Sequence, residues 1–244
     1  MLQAVTKQRR KQRARPRSGA GRPQFTVATS DEVRRAFEHL DLGVGWAGLA
    51  PSILPLLPRR APSPIRTGGP LQAMLGPGIL VGFGIDFGPA FATVTRNLVA
   101  RWGIGDGDVV STALGNVRAL AVELPPEVVK TVDLDDGAVV RVLQSGAGWA
   151  STLLLVPDLL PRFFGPGPHL LGAPCRDVVM AFSAGASLDL VFDLVEGLAW
   201  ADPVGLFAAC YRHVDGSLEQ VPAPVPGSVV PVGVSLPVRT RFVS

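Results

Sequence analysis

The apolar positions of the chain change rhythm several times, and each change marks an element. ILVGFGID (79–86) is a short apolar run with the composition of a buried strand. In VTRNLVARWGI (94–104), Leu98 and Trp102 fall four apart, Thr95 stands where an N-cap belongs and Gly103 where a helix stops. A second helix is predicted in GDVVSTALGNVRALAV, where Val110, Leu114 and Val117 recur at helical spacing behind Asp106 as its cap. VVKTVDL and AVVRVLQ are β-branched runs joined by DDG at 135–137, a hairpin signal. ASTLLLVPDLLPRFFG (150–165) predicts a short element to Val156 and a helical turn after Pro157. HLLGAPCRDVVMAF supplies two strands around a turn, with Pro174 ending the first, and SLDLVFDLVEGLAW (187–200) an amphipathic helix capped by Ser187. CYRHVDGSLEQV closes as a hairpin at Asp215-Gly216. The expected class is α+β: a mainly antiparallel sheet with helices packed on it, preceded by a disordered basic arm.

The periodicity is weaker before residue 71. TSDEVRRAFEHL predicts a helix, with Thr29 and Glu32 spaced as a capping box and Val33, Phe37 and Leu40 on one face. GLAPSILPLLPRRAPSPIRTGGP (48–70) holds six prolines, too many for a helix or a central strand, and is expected to wrap over the surface or link two parts. The resulting division is a basic arm over 1–23, a helix and Pro-rich linker over 24–70, an α+β domain over 71–222, and an irregular tail or edge strand over 223–244.

Composition changes this picture in two ways. At 244 residues, 47% of them hydrophobic and 18% charged, the chain is long enough to bury a substantial core. The net charge of +3 conceals an asymmetry. Lys7, Arg9, Arg10, Lys11, Arg13, Arg15, Arg17 and Arg22 give residues 1–23 a charge of +8, while the other 15 of the 23 Lys and Arg face all 20 Asp and Glu, a balance of −5. Like charges with nothing apolar to bury predict a disordered arm. Such an arm suits weak, non-specific contact with nucleic-acid phosphates, although no aromatic residue is interleaved to stack on bases. The arm is not followed by a signal-peptide core. The most apolar stretch, 74–94, is broken by Pro77, Asp86, Pro89 and five glycines, so no membrane span is expected and a cytoplasmic location is.

The candidate chemistry centres on Cys175-Arg176-Asp177. A nucleophilic cysteine needs a base, and the three histidines are His39, His169 and His213. His169 lies six residues before Cys175, across a Gly-Ala-Pro turn. The competing reading, which we favour, makes the triplet a turn at the head of a strand. Other near-motifs fail on spacing. GFGIDFG (82–88) is one residue off the dinucleotide fingerprint, and DLDDGAVVRVL carries its glycine in the fifth place of a calcium loop and Gln144 in the twelfth. No cofactor and no metal site is expected from the two distant cysteines. Asn116 and Arg118 interrupt the second helix, and Asp158 follows Pro157, positions that favour structural hydrogen bonds over ligand binding.

Taken in order, FGIDFGPAFATVTRNLVARWGI, ALGNVRAL, GWASTLLL with DLL, LLGAPCRDVVMAF and CYRHVDGSLEQV resemble the YtpQ-like family of uncharacterised bacterial proteins, a domain of unknown function, over residues 83–222. The resemblance implies an α+β fold and brings no reaction, cofactor or catalytic residue. It also implies a turn that does not depend on cysteine before the Arg-Asp pair, which moves attention to Asp177. Three functions stay open. The leading one is a non-enzymatic interaction or regulatory module with an unknown protein partner. The second is a small-ligand binder or enzyme built on Asp86, Asn116, Arg118, Arg176 and Asp177, with a polar pocket if Asp86, Asn116 and Asp177 converge. The third is a nucleic-acid-associated protein working through residues 7–22.

Overall fold

Short apolar runs punctuated by glycine and proline become strands here, and the few runs with helical spacing become the helices that cover them. The computed structural model describes residues 45–57, 69–88, 91–134, 137–202, 205–206 and 209–223. The basic arm, the helix expected from Thr29 and the tail from residue 224 lie outside them. In chain order the elements are α1 (Trp46–Leu49), β1 (Ile53–Leu56), β2 (Gln72–Leu75), β3 (Ile79–Asp86), β4 (Phe91–Thr93), α2 (Arg96–Trp102) and α3 (Asp106–Glu123). They continue with β5 (Val129–Asp133), β6 (Val139–Gln144), α4 (Leu160–Phe164), β7 (His169–Cys175), β8 (Val178–Ser183), α5 (Leu188–Ala201), β9 (Cys210–Val214) and β10 (Ser217–Val221). The fold is α+β with antiparallel sheets.

The strands form two sheets rather than one. In the smaller, β3 is central: β1 pairs with it antiparallel, β2 pairs with its first half and β4 with its last residues. The larger has six strands in the order β10-β9-β7-β8-β6-β5, all antiparallel. Its central strands are buried on both faces. Leu171, Ala173, Val179 and Ala181 join Val81, Phe83 and Ile85 of β3 and Val109, Ala113, Val117 and Ala121 of α3 in the main core. Leu170, Met180, Phe182 and Cys210 face the other way, against Val191, Phe192 and Val195 of α5. A strand sandwiched in this manner reads as a continuous apolar run, as HLLGAPC does, rather than an alternating one.

Local chemistry explains most boundaries. Thr95 Oγ1 accepts from the Leu98 N–H at 3.2 Å and Gly103 ends α2 at φ 70°, both as the sequence predicts. The turn between β9 and β10 has positive φ at Asp215 (50°) and Gly216 (76°), the conformation that matches strand twist in a two-residue hairpin. Other expectations move. The cap of α3 is Gly105, one residue before Asp106: the Asp108 carboxylate accepts from the Gly105 N–H at 2.8 Å, and Asp106 pairs instead with Arg96 at 2.9 Å. The buried stripe of α3 is Val109, Ala113, Val117 and Ala121, with Val110 and Leu114 at its margin. Ser187 occupies the cap position of α5 without a side-chain bond to the helix. Pro174 does not end β7, which runs on to Cys175 through a register shift; the Pro174 carbonyl accepts from the Leu206 N–H at 2.8 Å. Part of the Pro-rich stretch is a strand, β1, with Ile53, Leu54 and Pro55 buried. Proline is tolerated there because β1 lies at the edge of its sheet.

Gly172 lets α5 approach β7, since a Cβ at this position would collide with the methyls of Val195. Gly172→Ala is therefore expected to cost roughly 1–3 kcal/mol by overpacking. Adding Val195→Ala should recover part of that loss, so the double variant would be more stable in urea denaturation than the sum of the two single changes.

Candidate functional site

The β7–β8 turn brings Cys175, Arg176 and Asp177 to one corner, and each has a different fate. Asp177 turns its carboxylate into the loop after β6. It accepts from the backbone N–H groups of Gly146 at 2.8 Å, Gly148 at 3.0 Å and Ser145 at 3.2 Å, and from the Ser145 hydroxyl. The positive φ of Gly146 (74°) and Gly148 (79°) curls the loop so that its amides converge on the carboxylate. Asp177 is thus the anion in a nest of backbone donors.

Cys175 is buried, as is Cys210, and both are free thiols. Burial pushes each thiol up to about 12, the Cys175 shift being reinforced by Asp202. His169 and Cys175 mark opposite ends of β7, a separation of about 20 Å along an extended strand. Cys175 therefore has a neutral thiol and no histidine base at hand, as the turn reading expects. Arg176 lays its guanidinium over the Phe91 ring, 5.6 Å from the centroid, where burial lowers its pKa.

The remaining candidates lie on or beside α3. The Asn116 carboxamide donates to the carbonyls of Ala50 and Ile53 at 2.8 and 2.9 Å, which ties α3 to β1 and the turn before it. Arg118 points elsewhere, to a bidentate pair with Asp158 at 2.6 and 2.8 Å. That pair is about half exposed; it raises the pKa of Arg118 and lowers that of Asp158. Asp86, at the end of β3, accepts from the Gly88 N–H at 2.7 Å. Burial raises its pKa, and that one backbone bond only partly opposes the shift.

Two of the three residues that could converge do so. Asp86 and Asn116 line a cleft of about 270 Å³ beside Pro51, Ser52 and Leu54, and Asp177 does not reach it. Arg118 and Arg176 are likewise absent from its walls. The cleft contains one acidic side chain that the sequence reading passed over, Glu123. Its spacing was informative: Glu123 lies seven residues after Asn116, two helical turns along the same face. Among the described residues no three His, Cys, Asp or Glu side chains gather closely enough to hold a metal ion, and no helix is long and apolar enough to cross a membrane.

Comparison with models of protein families, with curated proteins and with solved structures finds no match to this chain.

Asp177→Ala should destabilise the fold by about 3 kcal/mol, because it orphans several loop donors at once. Arg118→Ala, which opens a half-exposed ion pair, should cost less than about 1 kcal/mol; equal losses in chemical denaturation would contradict the nest. Both thiols should resist a chromogenic disulfide reagent in the native protein and react together on unfolding. Rapid native labelling of Cys175 alone would restore it as a candidate nucleophile.

Proposed function

We propose that this chain is a non-enzymatic interaction module whose folded part receives a cationic group, such as a Lys or Arg side chain of a protein partner, in the Asp86–Glu123 cleft. The carrying observation is the charge of its walls: Asp86 and Glu123 supply two carboxylates, Ser52 and Asn116 are neutral, and among the described residues no basic side chain lines the cleft. The Asn116 bonds to Ala50 and Ile53 hold one wall rigidly, so little ordering is needed on binding. The other polar candidates have structural work: Asp177 in its loop, Arg118 on Asp158, Cys175 in the interior. We place the chain in the YtpQ-like family and in a bacterial cytoplasm as part of the same proposal. That placement rests on the ordered sequence segments and adds no reaction.

A fluorescent arginine-rich peptide titrated into the full chain tests the cleft. Asp86→Asn with Glu123→Gln should weaken binding roughly ten- to a hundredfold, the range for charged hydrogen bonds. Affinity should also fall as the pH drops through the raised Asp86 value and that carboxylate is neutralised. Unchanged affinity in a variant with wild-type circular dichroism would refute the proposal. A second reading, association with nucleic acid, draws on the +8 charge of residues 1–23, which lie outside the described residues. It requires affinity that falls steeply with salt.

A further inference from the structure

His213 of β9 is 2% exposed, and neither of its ring nitrogens has a hydrogen-bond partner among the described residues. Leaving such a group unsatisfied costs free energy that an apolar side chain would not. Its ring lies parallel to that of His169 on the neighbouring strand, with centroids 6.4 Å apart and planes 5° from parallel. The two residues are directly paired across β7 and β9, and Leu218 of β10 stands on the other side of His213. His169 is half-buried; its Nε2 lies 3.2 Å from the Gly165 carbonyl just after α4, and its ring meets the Phe164 edge at 6.4 Å. The stack therefore joins three parts: the central strand β7, the edge hairpin β9–β10 and the end of α4.

We propose that the His169–His213 stack is an acid-operated latch, closed while His213 is neutral, that releases the β9–β10 hairpin from the six-stranded sheet when His213 is protonated. A proton on His213 places a cation beside the His169 imidazole, and among the described residues no group makes a hydrogen bond of normal geometry to the His213 ring, the Pro157 backbone only partly favouring its charged form. The surrounding charges do not compensate. Arg141 of β6 donates to the Phe164 carbonyl, which adds positive charge on the His169 side. Asp158, in the turn after Pro157, is engaged by Arg118. Asp215 in the hairpin turn and the Pro157 backbone pull the His213 pKa upward, but burial and His169 outweigh them and lower it.

The sign follows. A histidine with a lowered folded pKa binds fewer protons when the hairpin is docked than when it is free. Docking is then fully favourable above the free value of about 6.5 and weakens as the pH falls from there toward the lower docked value. The hairpin is the element expected to respond first, because it ends the sheet among the described strands and β9 pairs with β7 over only His169 to Gly172, so that release also uncovers Tyr211 and Leu218 from the main core and Cys210 and Val221 from α5. Its departure bares the hydrogen-bonding edge of β7, a template for an added strand.

Hydrogen exchange of the full chain, corrected for intrinsic rates, tests the latch at about pH 7.5 and about pH 5.5. One linked proton changes an opening equilibrium up to about tenfold per pH unit, so protection over 210–221 should fall by about that factor while 140–144 and 178–183 hold. His213→Phe fills the same site without a proton and should abolish the response. The proposal is overturned if the whole sheet loses protection together, or if the hairpin response persists in His213→Phe. Should that variant not fold, an NMR titration of the wild-type imidazoles decides: His213 titrating below the free value supports the latch, and titration at or above it overturns the latch.

Discussion

The structure depends on burying the two central strands of the six-stranded sheet, β7 and β8, on both faces at once. One sheet face needs α3 and the smaller sheet as cover; the other needs α5. Each cover is seated by a side chain or by the lack of one. Gly172 admits Val195 of α5, and Asn116 fastens α3 to the backbone on either side of the turn at the start of β1. Because hydrophobic burial is non-directional, these local fittings are what fix where each layer sits.

The same constraint sorts the polar residues. Near a doubly covered sheet a charged side chain must find donors or remain at the rim. Asp177 finds its donors in the curled loop after β6, and Arg176 uses an aromatic face. Arg118 and Asp158 stay at the rim and satisfy each other. Asp86 is the intermediate case, half-buried with a single short-range backbone bond. That is why the cleft beside it, and not the Cys-Arg-Asp corner, holds the candidate recognition chemistry.

What could be read from the sequence was local. The Thr95 cap, the Gly103 stop, the Asp215-Gly216 turn and the strand at 79–86 are each written in a few neighbouring residues. What could not be read was long-range. Asn116 meets Ala50 and Ile53 more than sixty positions earlier in the chain, and Asp177 meets Gly146 across 31; no spacing rule reports such partners. Strand β1 was hidden for a different reason: Pro55 argues against a strand unless its place at a sheet edge is known. The division into two sheets was equally invisible, since antiparallel pairing leaves no mark on composition. Of the five pocket candidates, the helical face supplied Asn116, the end of β3 supplied Asp86, and the other three have other partners.

The Asn116 bonds carry one consequence for how copies of the protein meet. An edge strand ordinarily offers a row of free amides and carbonyls to any extended chain nearby. On β1 the carbonyl of Ile53 is already taken by the carboxamide, and Pro55 has no N–H to give. A helix side chain and an imino acid between them leave that margin with little to zip onto. On its β1 side the smaller sheet is guarded against growth by residues that, in the linear chain, looked like a stray amide and a proline out of place.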